Sequence, residues 1–341
     1  MVQKIPAPQL QALFTAILLR HGMTEERAAR CAEIFTANSL DGVYTHGVNR
    51  FPRFVQYIQK GFIDVAAEPR LQHAFGGLEQ WDGCLGPGPL NAVAATDRVL
   101  ELASSHGIGC VALAHTNHWM RGGYYGWQAA RKGFVFIGWT NTIPNLPAWQ
   151  AVDSRLGNNP LVVALPFEGE AIVLDMAMSQ FSFGALEQAA LKGEELPVPG
   201  GFDAQGGITH DPSVILATRR PLPIGYWKGA GLSLLLDLLA TVLSAGLSTA
   251  ELGKKEAEYG VSQVYIALDL SRLGHRPAIA AAIRAIIDDY RASTPAEGSA
   301  GITYPGERVL QTRQRNSREG IPVLQQVWEE LEALSAGHNC K

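Results

Sequence analysis

A histidine and an arginine stand four positions apart in Thr45-His46-Gly47-Val48-Asn49-Arg50-Phe51-Pro52-Arg53. Residues at i and i+4 share one face of a helix, so a helix starting here would turn both side chains into one space. An arginine grips a carboxylate through two parallel hydrogen bonds. A histidine titrates near neutrality and can pass a proton to the oxygen on the neighbouring carbon. The pair suits a 2-oxo or 2-hydroxy acid. Two solvated polar residues on a helix would give the same spacing, so the rest of the chain has to decide.

Other polar segments bear on that decision. His115-Thr116-Asn117-His118-Trp119-Met120-Arg121-Gly122-Gly123 falls between a strand and a helix, where α/β proteins gather their site groups. Metal binding by His115 and His118 lacks a nearby cysteine or carboxylate to complete the set, so no metal is expected. A polar pocket wall is the better reading, with Asn117 or His118 donating to a ligand. Trp119, Met120 and Arg121 would shape its far end. The remaining histidines, His21, His73, His106, His210, His275 and His338, stand singly and receive no role. Gly225-Tyr226-Trp227-Lys228-Gly229-Ala230-Gly231 is a glycine-rich turn feeding a helix. It is either an anion site built from exposed N–H groups or a packing turn. Gly157-Asn158-Asn159-Pro160 reads as a turn whose amides can meet a ligand. Asp175 ends a strand, where it either binds a ribose hydroxyl or caps a loop. No G-x-G-x-x-G hexapeptide is present, so a nicotinamide cofactor would not use the common dinucleotide fold.

The elements that must position these groups are legible from periodicity. Apolar residues 10, 13, 14, 17 and 18 repeat at helical spacing until His21-Gly22 stops them. Thr24 should cap a second helix that fades at Asp41-Gly42. A third is expected from near His46 to Gly61, with Pro52 in its first turns. Beyond Pro69 strands alternate with helices: helix 90–105 closed by Gly107, strand 108–114, helix 124–131, strand 134–140, a hairpin of strands 161–166 and 171–176, and helix 183–191. Residues 193–225 read as a long irregular excursion, and 232–245 as an apolar helix buried all round, its apolar run too short to span a bilayer. Strand 262–270, helix 277–291 and an amphipathic helix 322–334 follow. The class is α/β (α+β). A helical domain of residues 1–70 is rejoined by 320–336. An α/β domain covers 71–319, with a helical excursion around 226–260.

Composition narrows the function. The chain has 341 residues, 47% hydrophobic and 18% charged, so a large core is easily buried. Its net charge of −4 offers nothing to phosphate backbones, and nucleic acid is not expected as a partner. Cys31, Cys84, Cys110 and Cys340 are scattered and read as reduced thiols of a cytoplasmic protein. No signal peptide and no membrane partner are expected.

Taken together, Thr45-His46-Gly47…Arg50, Asn117-His118, Gly157-Asn158-Asn159-Pro160, Leu174-Asp175-Met176-Ala177 and Trp227-Lys228-Gly229 resemble, in order and spacing, the malate/L-lactate dehydrogenase family of the non-Rossmann type. The resemblance runs over nearly the whole chain. It is strongest to members reducing a dioxo sugar acid, in 42–54, 117–123 and 225–229; Thr45 stands where those have serine. It implies a homodimer with a mixed sheet and a nucleotide site drawing on both subunits. It implies NAD (as NADH) as cofactor, with NADP not excluded, and a small sugar-acid substrate. His46 would be the proton donor. Thr45, Arg50, Asn117, His118 and Arg121 would bind substrate. Ala171, Ile172, Val173, Leu174, Asp175, Met176 and Ala177 would hold the nucleotide, with Trp227, Lys228, Gly306, Glu307, Arg308, Asn158 and Asn159. The alternatives are a same-family dehydrogenase of malate, lactate or ureidoglycolate, or a non-catalytic sugar-acid or metal-binding protein.

Overall fold

The computed structural model describes residues 2–299 and 301–337; His338 and Cys340 lie outside the described residues. The chain opens with β1 (Val2–Ile5), α1 (Ala7–Arg20) and α2 (Glu25–Leu40). Two single-turn 3-10 helices, Tyr44–His46 and Val48–Arg50, then lead into α3 (Phe51–Gln59), which carries Pro52 in its first turn. β2 (Arg70–Phe75), β3 (Leu78–Asp82), α4 (Gly88–His106), β4 (Ile108–Thr116), α5 (Gly122–Arg131) and β5 (Phe134–Thr140) follow. After the short strands β6 (Leu146–Pro147) and β7 (Ser154–Leu156) come the hairpin β8 (Leu161–Phe167) and β9 (Glu170–Met176), then α6 (Phe183–Lys192). The excursion holds β10 (Gly201–Phe202), β11 (Ile208–Thr209) and α7 (Pro212–Thr218). The chain closes with α8 (Trp227–Ser244), α9 (Thr249–Leu252), β12 (Val261–Asp269), α10 (Arg276–Arg291), α11 (Glu307–Glu319), β13 (Ile321–Leu324) and α12 (Gln325–Ser335).

Seven strands form the main sheet in the order β2-β3-β4-β12-β5-β8-β9, and only β3 and β4 run parallel. A Rossmann sheet is parallel, so the mixed sheet agrees with the missing glycine fingerprint. Its central strands are apolar on both faces, because helices cover both. Val111 and Leu113 of β4, with Tyr265 and Ala267 of β12, face a core shared with α4 and α5. Ala112 and Val264, one residue out of phase, face α8. A separate apolar cluster joins Leu10, Phe14, Phe35, Phe51 and Phe54 to Ile321, Val323, Leu331 and Leu334. The chain's two ends therefore pack together, stitched by antiparallel pairing of β1 with β13.

Four expectations need correction. No helix runs through His46: Gly47 (φ −118°, ψ −120°) separates the two 3-10 turns. Residues 193–225 are not wholly irregular. The final helix begins at Gln325, after a strand. α8 is neither short nor buried all round. It is long and apolar enough, by length and composition, to cross a bilayer. Its inner face nonetheless packs on the sheet, and its Asp237 accepts from Asn141 Nδ2 and the Thr249 N–H, both at 2.9 Å. Its outer face exposes Leu234, Leu235, Leu238, Leu239 and Val242. α11 had no counterpart in the sequence reading.

Candidate active site

His46 and Arg50 meet although no helix joins them. Asn38 Nδ2 donates to the His46 carbonyl at 3.0 Å. Ser39 Oγ accepts from the Val48 N–H at 2.9 Å. Gly47 must lack a side chain, since a Cβ would lie 2.3 Å from Ser39 Oγ. The turn is thus pinned on both sides of the histidine. His46 Nδ1 lies 3.0 Å from Thr45 Oγ1. When that hydroxyl donates, the imidazole proton sits on Nε2. Thr45 therefore orients the histidine, and its methyl packs where Gly184 leaves room.

The His118 ring stacks on His46 with centroids 5.6 Å apart. His118 Nδ1 accepts from the Met120 N–H at 2.9 Å, with Met120 held at φ +67°. A small pocket beside this pair is lined by Arg50, Arg53, Tyr57, Asn117, His118 and Met120, over Phe54 and Ile63. The nearest carboxylate to Arg50 is Glu258, 3.9 Å away. Arg53 donates to Tyr57 Oη at 3.2 Å. Two guanidiniums and the His118 imidazole thus share a pocket with one distant counter-charge, with the His46 ring stacked on His118, an arrangement that attracts an anion. Burial, then Arg50 and Arg121, push the His46 pKa down from 6.5 to about 4. Burial first, then Arg50, His46 and Arg53, push His118 down as well.

Other candidates are committed elsewhere. Arg121 does not face the pocket: its side chain is 4% exposed, paired with Asp41 and 3.6 Å from Asp175 Oδ2. Trp119 is likewise buried, packed against Tyr125 and Tyr265. Asn117 Nδ2 donates to the carbonyls of Phe62, Leu85 and Gly86 at 2.8–3.1 Å, which locks the pocket wall. Its buried Oδ1 has no partner. Asn159 bridges Ser233 and the Thr142 N–H, and Asn158 Oδ1 accepts from Thr142 Oγ1 and Asn145 Nδ2, so both close a turn. Asp175 Oδ2 accepts from the Gly123 N–H at 2.8 Å. His115 pairs with Asp82 at 3.3 Å rather than joining His118. Among the described residues no three potential metal ligands come together. The sequence reading missed Glu258, Arg53 and Tyr57. A second arginine three residues after Arg50 was a usable signal for one of them.

The nucleotide candidates converge on the sheet edge. β9 is the edge strand, and its Val173 N–H donates to the Pro305 carbonyl at 3.0 Å. Gly306, at φ +98°, lies so close that a Cβ would stand 3.1 Å from Val173 N. Just past β9, the Ile224 N–H donates to the Met178 carbonyl, which brings up the Trp227-Lys228 end of α8. Trp227 is 64% exposed there. An edge strand, an exposed indole and a lysine at a helix N-terminus fit a dinucleotide.

The sequence profile of the malate/L-lactate dehydrogenase family matches residues 5–332. The chain belongs to the malate/L-lactate dehydrogenase family. It is 46% identical over 332 residues to 2,3-diketo-L-gulonate reductase of Citrobacter koseri, covering 97% of this chain and all of that one. Its fold matches malate dehydrogenase of Entamoeba histolytica with a TM-score of 0.93, at 23% identity, over 100% of this chain and 99% of the other. Sulfolactate dehydrogenase of Methanocaldococcus jannaschii superposes with a TM-score of 0.89 at 25% identity, over 100% and 98%. As a malate/L-lactate dehydrogenase family member the chain is an oxidoreductase of the kind that acts on 2-hydroxy acids with a nicotinamide cofactor. The reading as a non-catalytic binder is set aside.

Proposed function

We propose that the protein is an NADH-dependent reductase of 2,3-diketo-L-gulonate, yielding 3-keto-L-gulonate. The observation that carries this is Arg50, half-buried beside the stacked His46–His118 pair with its nearest carboxylate 3.9 Å away. A half-buried guanidinium in this state is ready for a ligand carboxylate. The substrate's C1 carboxylate takes that place, which sets the C2 carbonyl oxygen against His46. A nicotinamide bound in this site would supply the hydride that C2 takes up. Once charged, His46 gives its Nε2 proton to the C2 oxygen and keeps its Nδ1 proton, which is donated to Thr45 Oγ1 and holds the ring for that transfer. The carboxylate also offsets Arg50, so the His46 pKa rises on binding and the acid charges when it is needed. Ala171 to Ala177, along and just past β9, with Trp227, Lys228 and Gly306-Glu307-Arg308, would hold the nucleotide. The identity to the Citrobacter koseri enzyme supports the sugar acid as substrate. Arg53 at the pocket mouth favours a second reading, a diacid such as malate.

The outer face of α8 supports a homodimer, since a contiguous leucine surface of this kind marks a contact site. Free thiols at Cys31, Cys84 and Cys110 are consistent with a cytoplasmic enzyme. NADH oxidation across a panel of 2-oxo and 2,3-dioxo acids, repeated with NADPH, tests the assignment. 2,3-Diketo-L-gulonate with NADH should give the highest kcat/KM, and activity should survive exhaustive chelation. Turnover of malate, lactate or ureidoglycolate alone would move the protein to the second reading. General acid catalysis is worth roughly two to four orders of magnitude. His46→Asn should lower kcat by that much and leave NADH binding intact.

A further inference from the structure

The acid histidine follows the turn at Asp41-Gly42, and a helix from the far end of the chain packs on that turn. α11 lies across Ser39 to Tyr44 with three consecutive points of contact. Thr312 packs on Gly42 so closely that a Cβ there would stand 2.7 Å from its methyl, and Gly42 needs φ +81° in any case. Arg313 grips the Asp41 carboxylate with Nε at 2.5 Å and Nη2 at 2.9 Å. Asn316 Nδ2 donates to the carbonyls of Ser39 (3.3 Å) and Leu40 (2.9 Å) and to Tyr44 Oη (3.0 Å). Asp41 follows the last turn of α2, where the helix dipole disfavours a carboxylate. It is held there by Arg313 and Arg121 together. The other end of α11 starts at Gly306, against β9.

We propose that α11 is a strut that positions His46, with Arg313 and Asn316 as its positioning residues: one helix is seated at its start on the nucleotide strand and along its length on the turn that presents the acid. The inference rests on His46 being the proton donor. Cofactor bound along β9 and the acid are then held at a fixed separation by one rigid element. The strut accounts for a helix whose only fully buried side chain is Asn316. Such a helix is retained for what it positions, since it contributes little to the core. His46 itself faces Arg50 across its own turn and Arg121 and His118 from the segment after β4. A shift of the turn changes its distance to all three.

The test uses the full-length enzyme with NADH and its best 2-oxo acid. Misplacing a reacting group by about 1 Å can cost on the order of 100-fold in rate. Asn316→Ala and Arg313→Lys should lower kcat about 10–100-fold per folded enzyme, and Tyr44→Phe by less. All three should leave the calorimetric NADH Kd within about twofold and should displace the acid limb of the kcat–pH profile. Tyr44→Phe removes a single hydroxyl, so it decides the matter if the others fail to fold. Wild-type kcat and an unmoved pH profile in the folded variants would overturn the strut. His46→Asn is run beside them. Unchanged kcat in that variant would instead remove His46 as the acid and leave the seating of α11 without a catalytic purpose.

Discussion

Arg50, half-buried, and Arg121, buried, both push the His46 proton off, yet they do opposite jobs. Arg121 is paired: it donates to the Asp41 carboxylate, which is shared with Arg313, and Asp175 Oδ2 stands 3.6 Å from its Nε. Arg50 has one carboxylate within 4 Å, Glu258, too far for a hydrogen bond. A guanidinium with partners on both sides fastens elements together. One left short of partners in a pocket is waiting for a ligand. Residue type and nearness to the histidine do not separate the two roles; the distribution of carboxylates does.

The contrast is sharpest in stability. Removing one partner of a buried ion pair costs about 3–5 kcal/mol, because the other charge is stranded. Asp41→Ala strands two arginines, so thermal unfolding should show a loss of that size. Arg50→Ala strands only a distant Glu258 and should melt near wild type. Equal losses in both would erase the distinction. In kinetics the order should reverse. A charge-assisted grip is worth about 1.5–3 kcal/mol. Arg50→Lys keeps the charge and loses the fork, so KM for the oxo acid should rise roughly 10–100-fold, more than kcat falls. A KM unchanged in Arg50→Lys would assign the carboxylate to another residue, with Arg53 next in line. The smallest effect is on acid stability. His46 is held below its ordinary 6.5, at about 4, and His118 is lowered too. The folded state therefore binds fewer protons than the unfolded chain in that window, and stability should decline as pH falls from about 6.5 toward 4. The decline should be weaker in Arg50→Gln, where one source of the depression is gone. A flat profile in both would mean the histidines are not held neutral.

The sequence carried these distinctions unevenly. Periodic segments such as α1, α2, α4, β5 and the β8–β9 hairpin were readable because burial on one or both faces leaves a period of 3.6 or 2. α11 was not readable. Its sequence is largely polar, with only Val309 and Leu310 packed on the core, and its side-chain partners Asp41 and Tyr44 lie some 270 positions away. The pairing of β1 with β13 is hidden for the same reason. In the site, His46 and Arg50 were found by type and spacing, although the helix invoked to join them does not exist. Arg121, Asn158 and Asn159 carry the chemistry of ligand binding but spend it on internal contacts, as does the amide nitrogen of Asn117. Only distant partners, such as Asp41 eighty residues from Arg121, reveal that.

The central claim is that Arg50 receives the substrate carboxylate and thereby charges His46. Titration of the His46 ring by NMR, in the enzyme with NAD⁺ and with or without oxamate, measures this directly. The account predicts a free-enzyme pKa near 4, a clear rise when oxamate binds, and no such rise in Arg50→Gln. A His46 pKa that oxamate leaves unmoved, or that rises equally without Arg50, would contradict it.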